Sequence, residues 1–190
     1  MNGSETRREA EKPVGLLVLG LGNVILGDDG LGAAAVAKVE SRYRIPEGVR
    51  LEDGGTLGLA LLDMIAEARN VILVDAVRTG DPPGTLVRLD GDDVMDAVRD
   101  RLSPHQVGVA DLLDVARLID CYPDKVTLLG LTPETIDLAV VRSEAVENGL
   151  DQLVDAVVSE VRAFGYEMDA EPEAEAGRRP VYNLVRHFGM

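Results

Sequence analysis

Four short apolar runs, each closed by Gly, Asp or Pro, constrain this chain more than any other feature. They read GLLVLGLG (15–22), VRLED (49–53), NVILVDAV (70–77) and VTLLGLT (126–132). Such runs, rich in Val, Leu and Ile, suit strands covered by helices on both faces of a parallel sheet. The segments between them supply the helices. Leu57, Leu61, Met64, Ile65 and Ala68 share one face at helical spacing. So do Val109, Leu112, Leu113 and Ala116, and later Leu150, Leu153, Val154, Val157, Val158 and Val161. The alternation predicts an α/β fold with a mostly parallel sheet and helices on both sides. One strand breaks the parallel rule: DPPG is a tight-turn signal, and TLVRL (85–89) follows too soon for a helical crossover, so it returns antiparallel and makes the sheet mixed.

The 190 residues form one body, residues 14–167. A polar segment, 1–13, precedes it, and residues 168–190 follow as an acidic linker and a short tail. In that tail Val181, Leu184, Val185 and Phe188 fall at the spacing of an amphipathic helix, read either as a frayed end or as a docking segment. The formal net charge of −15 disfavours nucleic acid and anionic membrane surfaces as partners. The first residues carry mixed charge and no small-residue cleavage site, and no run reaches the ~20 apolar residues of a membrane span. These features point to a cytoplasmic protein with no membrane insertion. A single cysteine, Cys121, at the expected end of a helix, excludes a disulfide framework and reads as packing.

In open α/β sheets ligands gather beyond the carboxyl ends of the strands. There the sequence sets Asn23, Asp28 and Asp29 after the first strand, Asp53 after the second and Asp75 after the third. The loop SPHQVG adds His105. A dinucleotide site is disfavoured: Gly20 and Gly22 begin a fingerprint whose third glycine is replaced by Ile25, and Asp28 and Asp29 would repel a pyrophosphate. No nucleophile elbow is present. Carboxylates with one imidazole suit a divalent cation such as zinc, nickel or manganese, with coordination left open for a substrate group. The bland alternatives are that Asp28 or Asp29 caps the helix beginning near Leu31, and that Asp75 is structural.

In order and spacing, GLGNVILGDDGLG, DGGTLGLALL, VDAVRTGDPPGTLVRL and SPHQVGVADLL resemble the hydrogenase maturation proteases, as does the later VTLLGLTPETIDL. The resemblance covers roughly residues 14–165. It implies a three-layer α/β/α, phosphorylase/hydrolase-like fold around a twisted mixed sheet. It also implies an endopeptidase that removes the C-terminal extension of a [NiFe] hydrogenase large-subunit precursor after nickel insertion. Matched motif by motif, the metal-binding and catalytic positions fall on Asp29, Asp53 and His105. The nickel would be carried by the substrate, and another divalent metal such as zinc could occupy the isolated protein. His187 matches no family position. Two other readings stand beside this one: a non-catalytic, metal-sensing chaperone of the same precursor, and a nucleotide-binding α/β enzyme.

Overall fold

A computed structural model describes residues 12–99 and 107–171. The first apolar run forms β1 (Val14–Leu21), followed by a 3-10 turn at Gly27–Gly30 and α1 (Leu31–Arg42). A two-residue strand β2 (Tyr43–Arg44) leads to β3 (Val49–Gly55), a 3-10 turn at Gly58–Leu61, α2 (Leu62–Glu67) and β4 (Ala68–Ala76). Then come β5 (Leu86–Asp90), α3 (Asp92–Arg99), α4 (Val107–Leu118), β6 (Lys125–Leu131), α5 (Glu144–Ala163) and β7 (Asp169–Ala170). The main sheet runs β3-β1-β4-β6-β5, with only β5 antiparallel. This is the mixed sheet the sequence predicts, including the returning strand after DPPG.

Each central strand is buried on both faces because its successive side chains enter two different apolar layers. Leu17 and Leu19 of β1, with Leu73 of β4 and Leu128 of β6, pack against Ile65 of α2 and Leu112 and Leu113 of α4. Leu16 and Val18, with Ile72, Val74 and Leu129, pack against Val36 and Val39 of α1 and Val154 and Val157 of α5. The strand runs are therefore apolar without alternation, which is what made them visible in the sequence.

Three elements, α3, β2 and β7, were not read from the sequence. Helix α3 is short and acidic at its start, but Val94, Met95 and Val98 are buried on its inner side. The pair β2 and β7 is a two-residue antiparallel match, Tyr43 with Ala170 and Arg44 with Asp169. Met168 is buried beside it, so the folded body runs on to Glu171, whose N–H donates to Arg42 O at 2.8 Å.

Helix α1 approaches the sheet closely through Gly32. A Cβ there would lie 2.3 Å from both Leu21 O and Val74 O. Gly32→Ala is therefore expected to cost about 2–3 kcal/mol through overpacking against backbone that cannot yield; urea denaturation of the two chains measures it, and an unchanged midpoint would show that α1 can slide.

The antiparallel edge is fastened by charge. Arg88 of β5 donates to both carboxylate oxygens of Glu160 on α5, at 2.9 and 3.0 Å, and Glu160 is buried. The Arg88 guanidinium holds the Glu160 carboxyl below its ordinary range, and the carboxylates of Glu160 and Asp90 raise Arg88 in turn. A depressed carboxyl contributes stability above its unfolded value, about 4.3, and loses it as pH falls through the folded value. Because Arg88 is partly solvated, Glu160→Gln is expected to cost only about 1–2 kcal/mol at pH 7. That deficit should shrink below about pH 4; melting curves of both chains across pH check it, and a pH-independent difference would remove charge as the cause.

Candidate active site at the carboxyl rim of the sheet

The order β3-β1-β4 places the chain's reversal of direction across the sheet between β1 and β4, where helices leave to opposite faces and open a crevice. The loop after β1 borders it. Gly22 opens this loop at φ +110, and its N–H donates to Gly55 O at 3.1 Å, joining the loops that follow β1 and β3. A Cβ on Gly22 would lie 1.8 Å from Asp29 O, so the backbone of Asp29 fills the ground a pyrophosphate would need. The glycines serve close packing and a sharp turn.

Asp28 and Asp29 are adjacent and buried, yet they do different work. Asp28 Oδ2 accepts from Glu134 N (2.9 Å), Thr135 N (3.2 Å) and Ser143 Oγ (2.9 Å), and Oδ1 accepts from Ser143 N (2.6 Å). Ser143 is in turn the N-cap of α5, its Oγ accepting from Val146 N. Asp28 thus ties the first loop to the start of the last helix. Asp29 Oδ2 accepts from Asn23 N at 2.7 Å. Neither aspartate caps α1; its N-cap is Gly30, with no side-chain bond, which corrects the capping alternative.

Asp53 stands opposite Gly20 in the register of β3 on β1, so its loop meets the Asp29 loop at the rim. Its Oδ1 accepts from Gly55 N at 3.0 Å. The side chain opens to solvent on the groove side, while the surrounding protein strips enough water from it to push its carboxyl above the ordinary value. The Gly55 N–H works against this rise, and the charge of Glu52 adds to it.

His105 lies outside the described residues, as does His187. Helix α4, which follows His105 in the chain, begins against the turn that follows Asp53: a Cβ on Gly108 would lie 3.0 Å from Gly58 Cα. Among the described residues no group of three or more His, Cys, Asp and Glu side chains is placed to hold a metal ion. The donors described are the two carboxylates, hard oxygen ligands that suit a divalent cation with a third ligand still to be supplied. Asp75 is buried at the end of β4, with its Oδ1 bonded to Ala76 N. Cys121 lies toward the amino ends of the strands, where Asp124 N donates to Arg69 O, and packs against the α2–α4 layer.

A groove of about 460 Å³ runs from this rim along the outer side of α1. Ala33, Ala34, Ala37 and Glu40 of α1 form one wall, and Leu51, Glu52 and Asp53 of the edge strand β3 form the other. Val24, Ile25 and Val140 line it as well, all three exposed. The segment carrying Val140 is held to the first loop by Gly27 N to Ala139 O (2.8 Å) and Ala139 N to Ile25 O (3.1 Å). Leu138 and Val141 beside it are more than four-fifths exposed, and Leu57 and Leu59, which follow Asp53 in the chain, are about half exposed. The sequence reading missed this apolar border; its signal was the run IDLAVV (136–141), too short and irregular to be a strand or helix.

The fold and rim define an α/β enzyme with an acidic, open cleft at the carboxyl ends of its strands. A family model described as hydrogenase maturation protease matches residues 33–160. The hydrogenase 2 maturation protease of Escherichia coli strain K12 is 35% identical over 153 residues, covering 80% of this chain and 93% of that protein. The hydrogenase expression/formation protein HupD of Rhodobacter capsulatus is 40% identical over 161 residues, covering 84% and 77%. The solved structure of the E. coli hydrogenase maturating endopeptidase HybD matches with a TM-score of 0.79 at 34% identity, over 83% of this chain and 98% of that one. The chain belongs to the hydrogenase maturation protease family, a family of endopeptidases. Among the described residues no helix is long and apolar enough to cross a membrane.

Asp28→Ala is expected to destabilise the fold by about 3 kcal/mol or more, because it strands three backbone N–H groups and a hydroxyl in a buried place. Chemical denaturation measures this, and a loss under about 1 kcal/mol would mean that water satisfies the same donors.

Proposed function

We propose that this protein removes the C-terminal extension of a [NiFe] hydrogenase large-subunit precursor once nickel has been inserted, and that Asp29, Asp53 and His105 address that nickel. The observation that carries the reading is the pairing of two acids on adjoining loops at the mouth of a peptide-sized groove. One, Asp29, is buried and fixed by Asn23 N; the other, Asp53, opens into the groove. The endopeptidase activity of the family supplies the reaction class.

In this reading nickel is part of the substrate. The precursor holds it from one side, and the three side chains approach it from the other, so engagement reports that the metal has been loaded. The metal's charge favours a polarised scissile carbonyl and an activated water. Asp53 is suited to take the proton from that water. Desolvation raises its affinity for a proton above that of an ordinary carboxylate, and the Gly55 N–H fixes its orientation. The groove between α1 and the edge strand β3 gives the chain flanking the scissile bond a place to lie, with exposed Val24, Ile25 and Val140 receiving apolar side chains. Zinc, offered to the isolated protein, would be held by the same three residues.

Two outcomes test the proposal. Purified protein mixed with nickel-loaded precursor should release the C-terminal extension, followed by mass spectrometry, and nickel-free precursor should stay intact. Equal cleavage of both would end the nickel role, and stable binding without any shortened product would favour the chaperone reading. Asp53→Asn and His105→Ala should each lower the single-turnover rate by about a hundredfold or more, with the fold retained by circular dichroism; full activity of either variant removes that residue from the site.

A further inference from the structure

The groove along α1 ends at Glu40, near the C-terminus of that helix. Glu40 lines the groove, and two residues further on Arg42 O accepts the N–H of Glu171. Glu171, the last residue described, is thus held at the same end of α1 as Glu40. Residues 172–180 span up to about 30 Å when extended, while α1 is only about 18 Å long. The residues from 181 onward therefore reach every part of the groove.

The chemistry of the two surfaces is complementary. The groove has an apolar floor of alanines and Leu51, an exposed apolar border at Val24, Ile25 and Val140, and the acids Glu40, Asp53 and Glu52, the last paired with Arg50 at 2.7 Å. Its cation, Arg142, is already paired with Glu147 at 2.9 Å. In a chain of net charge −15, residues 178–190 carry Arg178, Arg179 and Arg186 and no acid. They also place Val181, Leu184, Val185 and Phe188 on one helical face. A basic, apolar-faced segment tethered near the Glu40 end of an acidic, apolar groove has an effective concentration in the millimolar range, so a weak intrinsic affinity suffices to hold it there.

We propose that residues 178–190 dock in the groove between α1 and β3 and compete there with the substrate peptide. The docking stands on the groove, the exit point and the charge. The competition rests on the reading of the groove as the substrate's path.

The protein contains no tryptophan, so Phe188→Trp gives the full chain a single reporter. The expected result is blue-shifted emission and acrylamide quenching about threefold weaker than that of an exposed tryptophan, both unchanged over about a hundredfold dilution. Emission like that of a solvated indole would overturn the docking, and a concentration-dependent shift would assign the tail to a second copy instead. Two changes should return the reporter to solvent: Val181→Asp with Leu184→Asp in the tail, and Ala37→Arg with Glu40→Lys in the groove. The tail pair leaves the described fold untouched, so it decides the matter if the groove pair fails to fold; a reporter that stays buried in it overturns the proposal. A tail bound two-thirds of the time raises the apparent KM about threefold, so the tail pair should lower KM for the precursor by about that factor with kcat unchanged. An unaltered KM overturns the competition. If neither chain cleaves the precursor, the processing reading fails while the fluorescence still decides the docking.

Discussion

The buried carboxylate of Asp28 is the interaction on which the rest of the rim depends. A carboxylate taken out of water is costly unless its oxygens are filled with donors, and here four donors fill them. Those donors come from two backbone stretches more than a hundred residues further along the chain. One buried anion thereby fixes the loop after β1, the segment before α5 and the N-cap of α5 relative to each other. It also sets its neighbour: on a tight 3-10 turn, a residue turned toward Ser143 leaves the next one directed elsewhere, and Asp29 meets Asn23 N.

The close approaches around Gly22 and Gly32 complete this fixation from the other side. At Gly22 the chain folds back so tightly that the Asp29 carbonyl occupies the space a side chain would need. At Gly32, α1 rests on the carbonyls of Leu21 and Val74, at the ends of the two strands that bound the crevice. Glycine at these points draws the first turn of the helix onto the sheet. A phosphate-binding loop of similar sequence uses the same small residues to admit a ligand; here the chain itself takes up the room.

The strands and their order of burial were legible because a strand covered on both faces cannot alternate, and its apolar run stands out between turn residues. The antiparallel return was legible because DPPG leaves no length for a crossover. Helix α3 escaped not for want of periodicity, since Val94, Met95, Ala97 and Val98 share one face, but because eight residues give barely two turns in which to see it. The β2–β7 pair escaped because two residues carry no pattern at all. The choice between Asp28 and Asp29 lay beyond composition and spacing. Their local sequences are equivalent, and what separates them is the arrival of Glu134, Thr135 and Ser143, which only the tertiary fold provides. The exposed apolar border was likewise hidden, since an irregular apolar run reads the same whether it is buried or bare.

This arrangement divides the rim into a part that holds still and a part that receives. Asp29 lies among bonds made by its own loop, on a turn anchored by Asp28. Asp53 stands at the end of an edge strand with the groove on its open side, and its single backbone bond to Gly55 orients it without burying it. Had both acids been buried, each would have needed a permanent partner, and a ligand arriving from outside would have had to displace it. Had both been exposed, their geometry would have been set anew at each encounter, at a cost in entropy. One fixed and one accessible carboxylate, on loops joined by the Gly22–Gly55 hydrogen bond, avoid both costs. Under the proposed function, a cation carried by the substrate would meet a site whose spacing is already decided by the sheet and whose final coordination is left to the visitor.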